Sequence, residues 1–424
     1  MRHGWSCFLL EARSGSLTGL QRCLERWRID CRREVADRPE WPATGLHEAV
    51  LVVELDGAAA MAVQPHVEAW RAAGRSVLAL CRAHDIRGLA LAASLGVDEI
   101  LTQPLDESEL VRRLERLGDL ATLERERRLR LRLFAPYQTG RYGWTCREPV
   151  PLPAVCVLGE RGALPARVID ALPAVTISHV ERAVKLPAVL ATRMADLVLA
   201  TRLDELGPVL AAIDDAETPV GAPVVLLAYR GMPKPDPLPP TVDLLPLPAP
   251  MEIVRTRLGT ALRLACLRRW LRRPPQAERP NLLTDSLTGL YNTGLLLDYL
   301  SITGRPQQPA LIAIDVVNLG AINARAGHAA GNLALAELGR HLSCLTRPDD
   351  LAAYLGAGRF AVAVMVRAQA QLERLRSRLA HELGARATPG ARLMVGAEAM
   401  PRHGTPTDRL EHLFRELSCP RHAA

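Results

Sequence analysis

Between residue 1 and about residue 270, short apolar runs alternate with amphipathic stretches. A chain patterned in this way forms parallel strands joined by crossover helices, since parallel neighbours cannot be linked by a tight turn. The strand runs are 7–10, 49–53, 76–80 and 99–101, and then 154–158, 174–177, 196–200, 223–227 and 242–245. The alternation runs its course twice, so two α/β lobes are expected, at 1–118 and 151–273. Residues 119–150 read as a linker that begins as a charged helix, its arginine run forming a solvated face. A second linker, 274–283, opens on Pro274-Pro275.

The remaining stretch, 284–418, is patterned differently. Arg347-Pro348-Asp349-Asp350 reads as a polar helix end and turn. An apolar strand follows, then a Gly-rich hairpin tip at Gly356-Ala357-Gly358-Arg359 and a second apolar strand at 361–365. An arginine and an aspartate three residues apart at such a turn can address one planar, charged ligand. The tip, where chemistry would be expected, carries no carboxylate. Leu335, Leu338 and Leu342 fall at helical spacing and read as core, while the stripe Val254, Leu258, Leu262 and Ala265 suits a homodimer or burial against its own lobe equally.

A length of 424 residues, 48% of them hydrophobic and 23% charged, suffices for about three domains with cores of their own. The formal charge of +7 invites a nucleic-acid reading. Lys185 and Lys234 are the only lysines, however, and the arginines are dispersed with the alanines and leucines, so DNA is not expected as a partner. The nine cysteines show no close pairs at metal-ligand spacing, and no run of ~20 apolar residues could span a bilayer. A cytoplasmic protein in a reducing compartment, without membrane insertion, is expected.

Asp285-Ser-Leu-Thr-Gly289-Leu-Tyr-Asn292, then Ile314-Asp315 with Asn323 and Gly327-His328-Ala-Ala-Gly331, then Arg347-Pro-Asp-Asp350 ahead of Gly356, together resemble the GGDEF domain of diguanylate cyclases over residues 283–418. The resemblance implies a nucleotidyl-cyclase-like fold whose central sheet contains antiparallel strands and is covered by helices. Segments 96–110 and 243–253 resemble the last strand and helix of receiver domains, implying two flavodoxin-like lobes with parallel sheets. In that order the domains resemble the PleD and PopA group of bacterial regulators.

Receivers resembling these use an acidic pair, an acceptor aspartate, a hydroxyl and a lysine. Here Glu11 stands alone after the first strand, Cys81 takes the hydroxyl position and Gln103 the lysine position, with Glu54 or Asp56 near the acceptor position. In the second lobe the matching positions hold Gly159-Glu160, Ala200-Thr201, Ala228 and Leu247. Phosphotransfer is therefore not expected, although Glu54 and Asp56 stay open as acceptors.

Active cyclases of the family hold Mg²⁺ on carboxylates beside the triphosphate. The resemblance keeps one of these as Asp315 and places Gly358 and Arg359 at the hairpin's acidic pair, with Val317, Gly320 and Asn332 at three further positions that depart from the family pattern. It implies no synthesis, no catalytic residue, no metal and no required cofactor. Asn323 keeps a position used on the guanine edge, and His328 is expected to brace the fold. Arg347 and Asp350, with Arg378 and Arg374 on the following helix, match the inhibitory site that binds cyclic di-GMP. The implied role is a non-catalytic effector, homodimeric, that recruits regulatory proteins, in cell-cycle control at a cell pole. The alternative is a scaffold that needs no nucleotide.

Overall fold

The computed structural model describes residues 6–12, 17–37, 39, 49–55, 59–138, 152–159, 162, 164–186, 195–204, 206–215, 224–229, 242–272, 283–303, 309–366, 369–398 and 405–417. The chain divides into two compact units, Met1–Arg125 with Val150–Arg269, and Glu126–Pro149 with Trp270–Ala424.

The first unit holds two five-stranded parallel sheets. In the first, β1 (Ser6–Glu11), β2 (Cys31–Val35), β3 (Ala49–Glu54), β4 (Ser76–Arg82) and β5 (Glu99–Gln103) lie in the order β2-β1-β3-β4-β5. The helices α1 (Thr18–Arg26), α2 (Ala59–Ala72), α3 (Ile86–Ser94) and α4 (Glu107–Gln138) connect and follow them, the residues of α4 from Glu126 on belonging to the second unit. In the second, β6 (Ala154–Leu158), β7 (Thr176–Val180), β8 (Leu197–Ala200), β9 (Val224–Tyr229) and β10 (Val242–Leu247) lie in the order β10-β9-β8-β6-β7, with α5 (Ala166–Ile169), α6 (Leu206–Asp215) and α7 (Met251–Arg272). Counted within each lobe, both orders are 2-1-3-4-5, the flavodoxin-like winding, in which the carboxyl ends of the strands form the functional edge.

Three features depart from the sequence reading. β2 was not among the expected strands: Arg32, Arg33 and Glu34 hide it, charges that suit an edge strand. β7 lies two to three residues later than expected. α4 does not pause at 118/119, because Leu114, Leu117, Leu120, Ala121 and Leu123 keep its inner face buried across that point. Its arginine run is not wholly solvated either, since Arg130 is 1% exposed. The apolar stripe of α7 is consumed inside its own lobe: Val254, Leu258, Ala261 and Leu262 pack with β6, β8, β9 and β10. Homodimerisation thus loses the feature that suggested it. Residues 139–150 of the first expected linker and 274–282 of the second lie outside the described residues.

The two lobes meet through a buried charge cluster. Arg113 on α4 holds both carboxylate oxygens of Asp243 on β10, and also reaches Glu99 on β5 at 3.4 Å, Glu109 at 2.9 Å and the Leu244 carbonyl at 3.2 Å. Arg257 on α7 donates to the same carbonyl at 2.7 Å and pairs with Glu109 at 3.3 Å. Glu99 and Asp243 occupy corresponding positions of the two lobes, as do Arg113 and Arg257, counted back and forward from Gln103-Pro104 and Leu247-Pro248. The cluster thus draws residues from corresponding positions of the two lobes, although both arginines donate to the one Leu244 carbonyl.

In the second unit, β11 (Ala310–Val316), β12 (Leu351–Gly356), β13 (Arg359–Val364) and β14 (Leu393–Glu398) form an antiparallel sheet in the order β12-β13-β11-β14. Strand alternation sends Leu311, Ala313, Ala361 and Ala363 to one face, against α8 (Thr293–Ile302) and α11 (Pro406–Leu417). Ile312, Ile314, Val362 and Val364 go to the other, against α9 (Leu319–Leu345) and α10 (Gln369–Arg386). Leu335, Leu338 and Leu342 are core there as expected. α9 is broken at Gly327, whose φ of 82° and ψ of 161° are not helical.

Candidate functional site

The site is organised by the chain reversal between α9 and β12. Thr346 closes α9, its hydroxyl donating to the Leu342 carbonyl at 2.9 Å. The next four residues form a turn in which the Asp350 amide donates to the Arg347 carbonyl at 3.1 Å, and the Arg347 amide donates to Asp350 Oδ2 at 2.8 Å. Asp350 thus folds its carboxylate back onto its own turn. The carboxylate is 8% exposed; burial pushes its pKa up to about 7, with help from Asp349 and Glu126 and against the pull of the Arg347 amide and side chain.

The Arg347 guanidinium makes no hydrogen bond or ion pair with a described residue. It lines a cleft of about 50 Å³ with Arg130, Arg272, Tyr291, Ser343, Thr346 and Asp350. That volume is far below the few hundred Å³ of a nucleotide pocket, so a ligand would rest on the surface and use the cleft as a foothold. Arg378, exposed on α10, donates to the Leu345 carbonyl at 3.1 Å, which brings it to the end of α9 beside the turn. Arg374, one turn earlier, is exposed and makes no such contact.

Sequence reasoning missed Arg130. Its guanidinium donates to Glu126 at 2.8 Å, to the Asp350 carbonyl at 2.8 Å, to the Pro348 carbonyl at 3.1 Å and to the Leu271 carbonyl, and it lies over the Tyr291 ring at 5.8 Å. The available signal was a heptad-like continuation of apolar positions in α4 that puts residue 130 on the inner face.

The hairpin lies at the other end of the sheet. β12 and β13 are joined through Ala357 and Gly358, with φ of 51° and 84°; both positive values match a type I′ turn. Gly358 is buried, and its carbonyl accepts from the Val316 amide at 3.0 Å. Ala357 is exposed and pays for a left-handed conformation without using its side chain. Ala357→Asn, which makes the preferred Asn-Gly pair, should stabilise the second unit by roughly 0.5–1 kcal/mol, read as a rise in its thermal unfolding midpoint.

Across the sheet, the register sets Arg359 opposite Asp315. Their charged ends stand 3.9 Å apart, and the guanidinium lies over the Phe414 ring at 5.2 Å. Burial raises the Asp315 pKa and Arg359 opposes the rise. These residues do not suit the divalent cation of an active cyclase: one carboxylate is already faced by a cation, and Gly358 has no side chain. Among the described residues no group of three or more His, Cys, Asp or Glu side chains is placed to hold a metal ion. Asn323 sits against Gly331, where a Cβ would come within 1.9 Å of its Oδ1, and that buried oxygen has no hydrogen-bond donor among the described residues. Asn332 and His328 are exposed, so His328 does not brace the fold. Val317 is half exposed and Gly320 lies in the first turn of α9.

At the carboxyl edge of the first lobe, Gln103 donates to Glu54 at 3.0 Å, Cys81 is buried, and Glu11 accepts from the Leu17 amide at 3.3 Å with Arg33 at 3.4 Å. Asp56 lies outside the described residues. In the second lobe Thr201 donates to the Leu158 carbonyl at 2.9 Å, Leu247 is buried, and Gly159 and Ala228 add no charge; Glu160 lies outside the described residues.

Comparison with known proteins bears on the second unit. A family model described as "Diguanylate cyclase, GGDEF domain" matches residues 282–410. The diguanylate cyclase DgcP of Escherichia coli (strain K12) is 32% identical over 105 residues, which are 24% of this chain and 31% of DgcP, so the chain spans about a third of that relative's length. Solved structures similar to it include the diguanylate cyclase SiaD with its activator SiaC from Pseudomonas aeruginosa, at 24% identity over 32% of this chain and 56% of that one, TM-score 0.29. The GGDEF domain of PA1120 from Pseudomonas aeruginosa is 26% identical over 33% of this chain and 90% of its own, TM-score 0.30. The GGDEF domain of DgcB from Caulobacter crescentus, in complex with c-di-GMP, is 19% identical over 33% and 90%, TM-score 0.31. Among the described residues no helix is long and apolar enough to cross a membrane. Residues 282–410 are a GGDEF domain.

Proposed function

We propose that this chain is a cyclic di-GMP effector whose GGDEF domain does not make the nucleotide. The observation that carries the reading is the register of β11 and β13, which gives Asp315 a guanidinium, Arg359, where a cyclase needs a metal ion. A cation there repels Mg²⁺, and without the metal the 3′-hydroxyl is not activated and the phosphate charge is not neutralised.

Binding is supported at the opposite end of the sheet. Arg347 presents an unengaged fork suited to guanine O6 and N7 or to a phosphate, with Arg378 and Arg374 on the neighbouring helix. Asp350, once ionised, can accept from the guanine N1 and N2 donors. The two lobes of the first unit serve as degenerate receivers of the PleD and PopA type, consistent with the Gln103–Glu54 contact standing where a lysine and an acceptor would meet. Regulatory protein partners, homodimerisation and recruitment to a cell pole complete the reading. Asp350 folded onto its own turn favours a second one, a nucleotide-independent scaffold in which the turn is only a helix stop.

Calorimetric titration of the full chain with cyclic di-GMP separates them. Micromolar or tighter binding is expected, weakened about 10- to 100-fold in Arg347→Ala, as befits the loss of a charge-assisted pair. No heat and no thermal shift would leave the scaffold. Binding of GTP alone would transfer the site to Asp315 and Asn323.

A further inference from the structure

The turn that carries Arg347 and Asp350 does not hold its shape alone. Two of its four carbonyls, those of Pro348 and Asp350, point at one buried guanidinium, Arg130. The same group is tied to α4 through Glu126, whose other oxygen accepts from the Tyr299 hydroxyl at 3.2 Å, and to the last turn of α7 through the Leu271 carbonyl. A planar fork with five fixed donors can hold several acceptors in one relative geometry, and a flexible ammonium cannot. Burial by itself disfavours a charged arginine, but the surrounding Tyr291, Glu126 and Tyr299 more than offset it.

We propose that Arg130 is the positioning residue of the Arg347–Asp350 turn, fixing the geometry in which the turn meets its ligand by pinning Pro348 and Asp350 to the ends of α4 and α7. This rests on the reading of the turn as a nucleotide site. It adds that the site is set from two helices distant in sequence, so that cyclic di-GMP bound at the turn and the placement of those helix ends favour one another reciprocally. Arg130 spends its donors on Glu126 and on the Leu271, Pro348 and Asp350 carbonyls, so it acts on the nucleotide through the turn.

The test uses the full chain with two changes at this position. Arg130→Lys keeps a cation for Glu126 but cannot hold four acceptors. Arg130→Met combined with Glu126→Gln removes both charges and leaves Tyr299 an acceptor, so that one of the two remains folded if the other does not. Hydrogen exchange without ligand reads the turn directly: the amides of Arg347 and Asp350 are expected to exchange at least about tenfold faster in either variant, since their bonds close the turn. With cyclic di-GMP as the probe, Kd is expected to weaken at least about tenfold. The same change made on Arg347→Ala is expected to cost clearly less than it does in the wild type, because Arg130 acts through the turn that carries Arg347.

Unchanged exchange at both amides would overturn the proposal. So would losses in Kd that simply multiply, the mark of a residue that only stabilises the fold. A wild-type chain that binds no cyclic di-GMP would remove the nucleotide reading and the reciprocal coupling, while the exchange result would still decide whether Arg130 holds the turn.

Discussion

Replacing Arg113 with alanine is expected to cost the first unit about 3–5 kcal/mol, more than any other single truncation of a charged side chain there. The reason is what remains behind. Arg113 is 1% exposed and faces Asp243, Glu99 and Glu109. Without it three carboxylates share Arg116 and Arg257. Burial alone would push Asp243 up, yet Arg113, Arg116 and Arg257 together hold it well below its ordinary value. A depressed carboxylate contributes stability that is present above its unfolded pKa of about 3.8 and lost as pH falls through the lower folded value. Acid unfolding of the first unit should therefore begin below about pH 4 in the wild type and at higher pH in the variant. Arg113→Met combined with Asp243→Leu should recover most of the loss, since a buried pair replaced by apolar groups often costs little. Urea unfolding at pH 7 measures the difference, and a cost under about 1 kcal/mol would show that water reaches the cluster.

That cluster also marks where sequence reading runs out. The strand runs of both lobes were legible because parallel strands covered on both faces are continuous apolar segments. β2 was not, because an edge strand is protected by the charges that hide it. Nor was the direction of Arg113 or Arg130. A lone arginine on a charged helix is nearly always solvated, and what draws these two inward is an acceptor from another part of the chain: Asp243 for one, the carbonyls of Pro348 and Asp350 for the other. The correspondence of Glu99 with Asp243 and of Arg113 with Arg257 was present in the sequence. Its meaning needed the four residues to be seen in one cluster.

The candidate site divides in the same way. Residue types at fixed spacing carried Arg347, Asp350, Asp315 and Arg359, and the hairpin's want of a carboxylate is a fact of sequence. The pairing of Arg359 with Asp315 is a fact of register, which a one-residue slip would abolish. His328 shows the limit of position matching, for it stands at a family position yet is exposed and makes no hydrogen bond or ion pair with a described residue. Asp350 shows another limit, because the spacing that identified it says nothing about its burial.

Asp350→Asn should raise the stability of the second unit at pH 8 by about 2–4 kcal/mol and leave it nearly unchanged at pH 4. The folded pKa is about 7 against 3.8 for the unfolded chain, so between those values the native state holds a proton that the unfolded state has released. Stability must then fall as pH rises from about 4 to 7 and level off above, at ~1.4 kcal/mol for each unit of difference. The groups that set the balance are Asp349 and Glu126, which raise the pKa with burial, and the Arg347 amide and side chain, which lower it. Asparagine keeps an acceptor for the Arg347 amide and carries no charge to bury. Urea midpoints of the two proteins at constant ionic strength measure the effect, and parallel pH profiles would show that Asp350 is ionised throughout. A carboxylate kept at such a cost, where an amide would serve the turn as well, is what a binding group looks like. Guanine, whose N1 and N2 both donate, needs the ionised form. The affinity for cyclic di-GMP should accordingly tighten with pH about tenfold per unit up to 7 and flatten above, while Asp350→Asn, the more stable protein, should bind more weakly at pH 8 and lose that dependence.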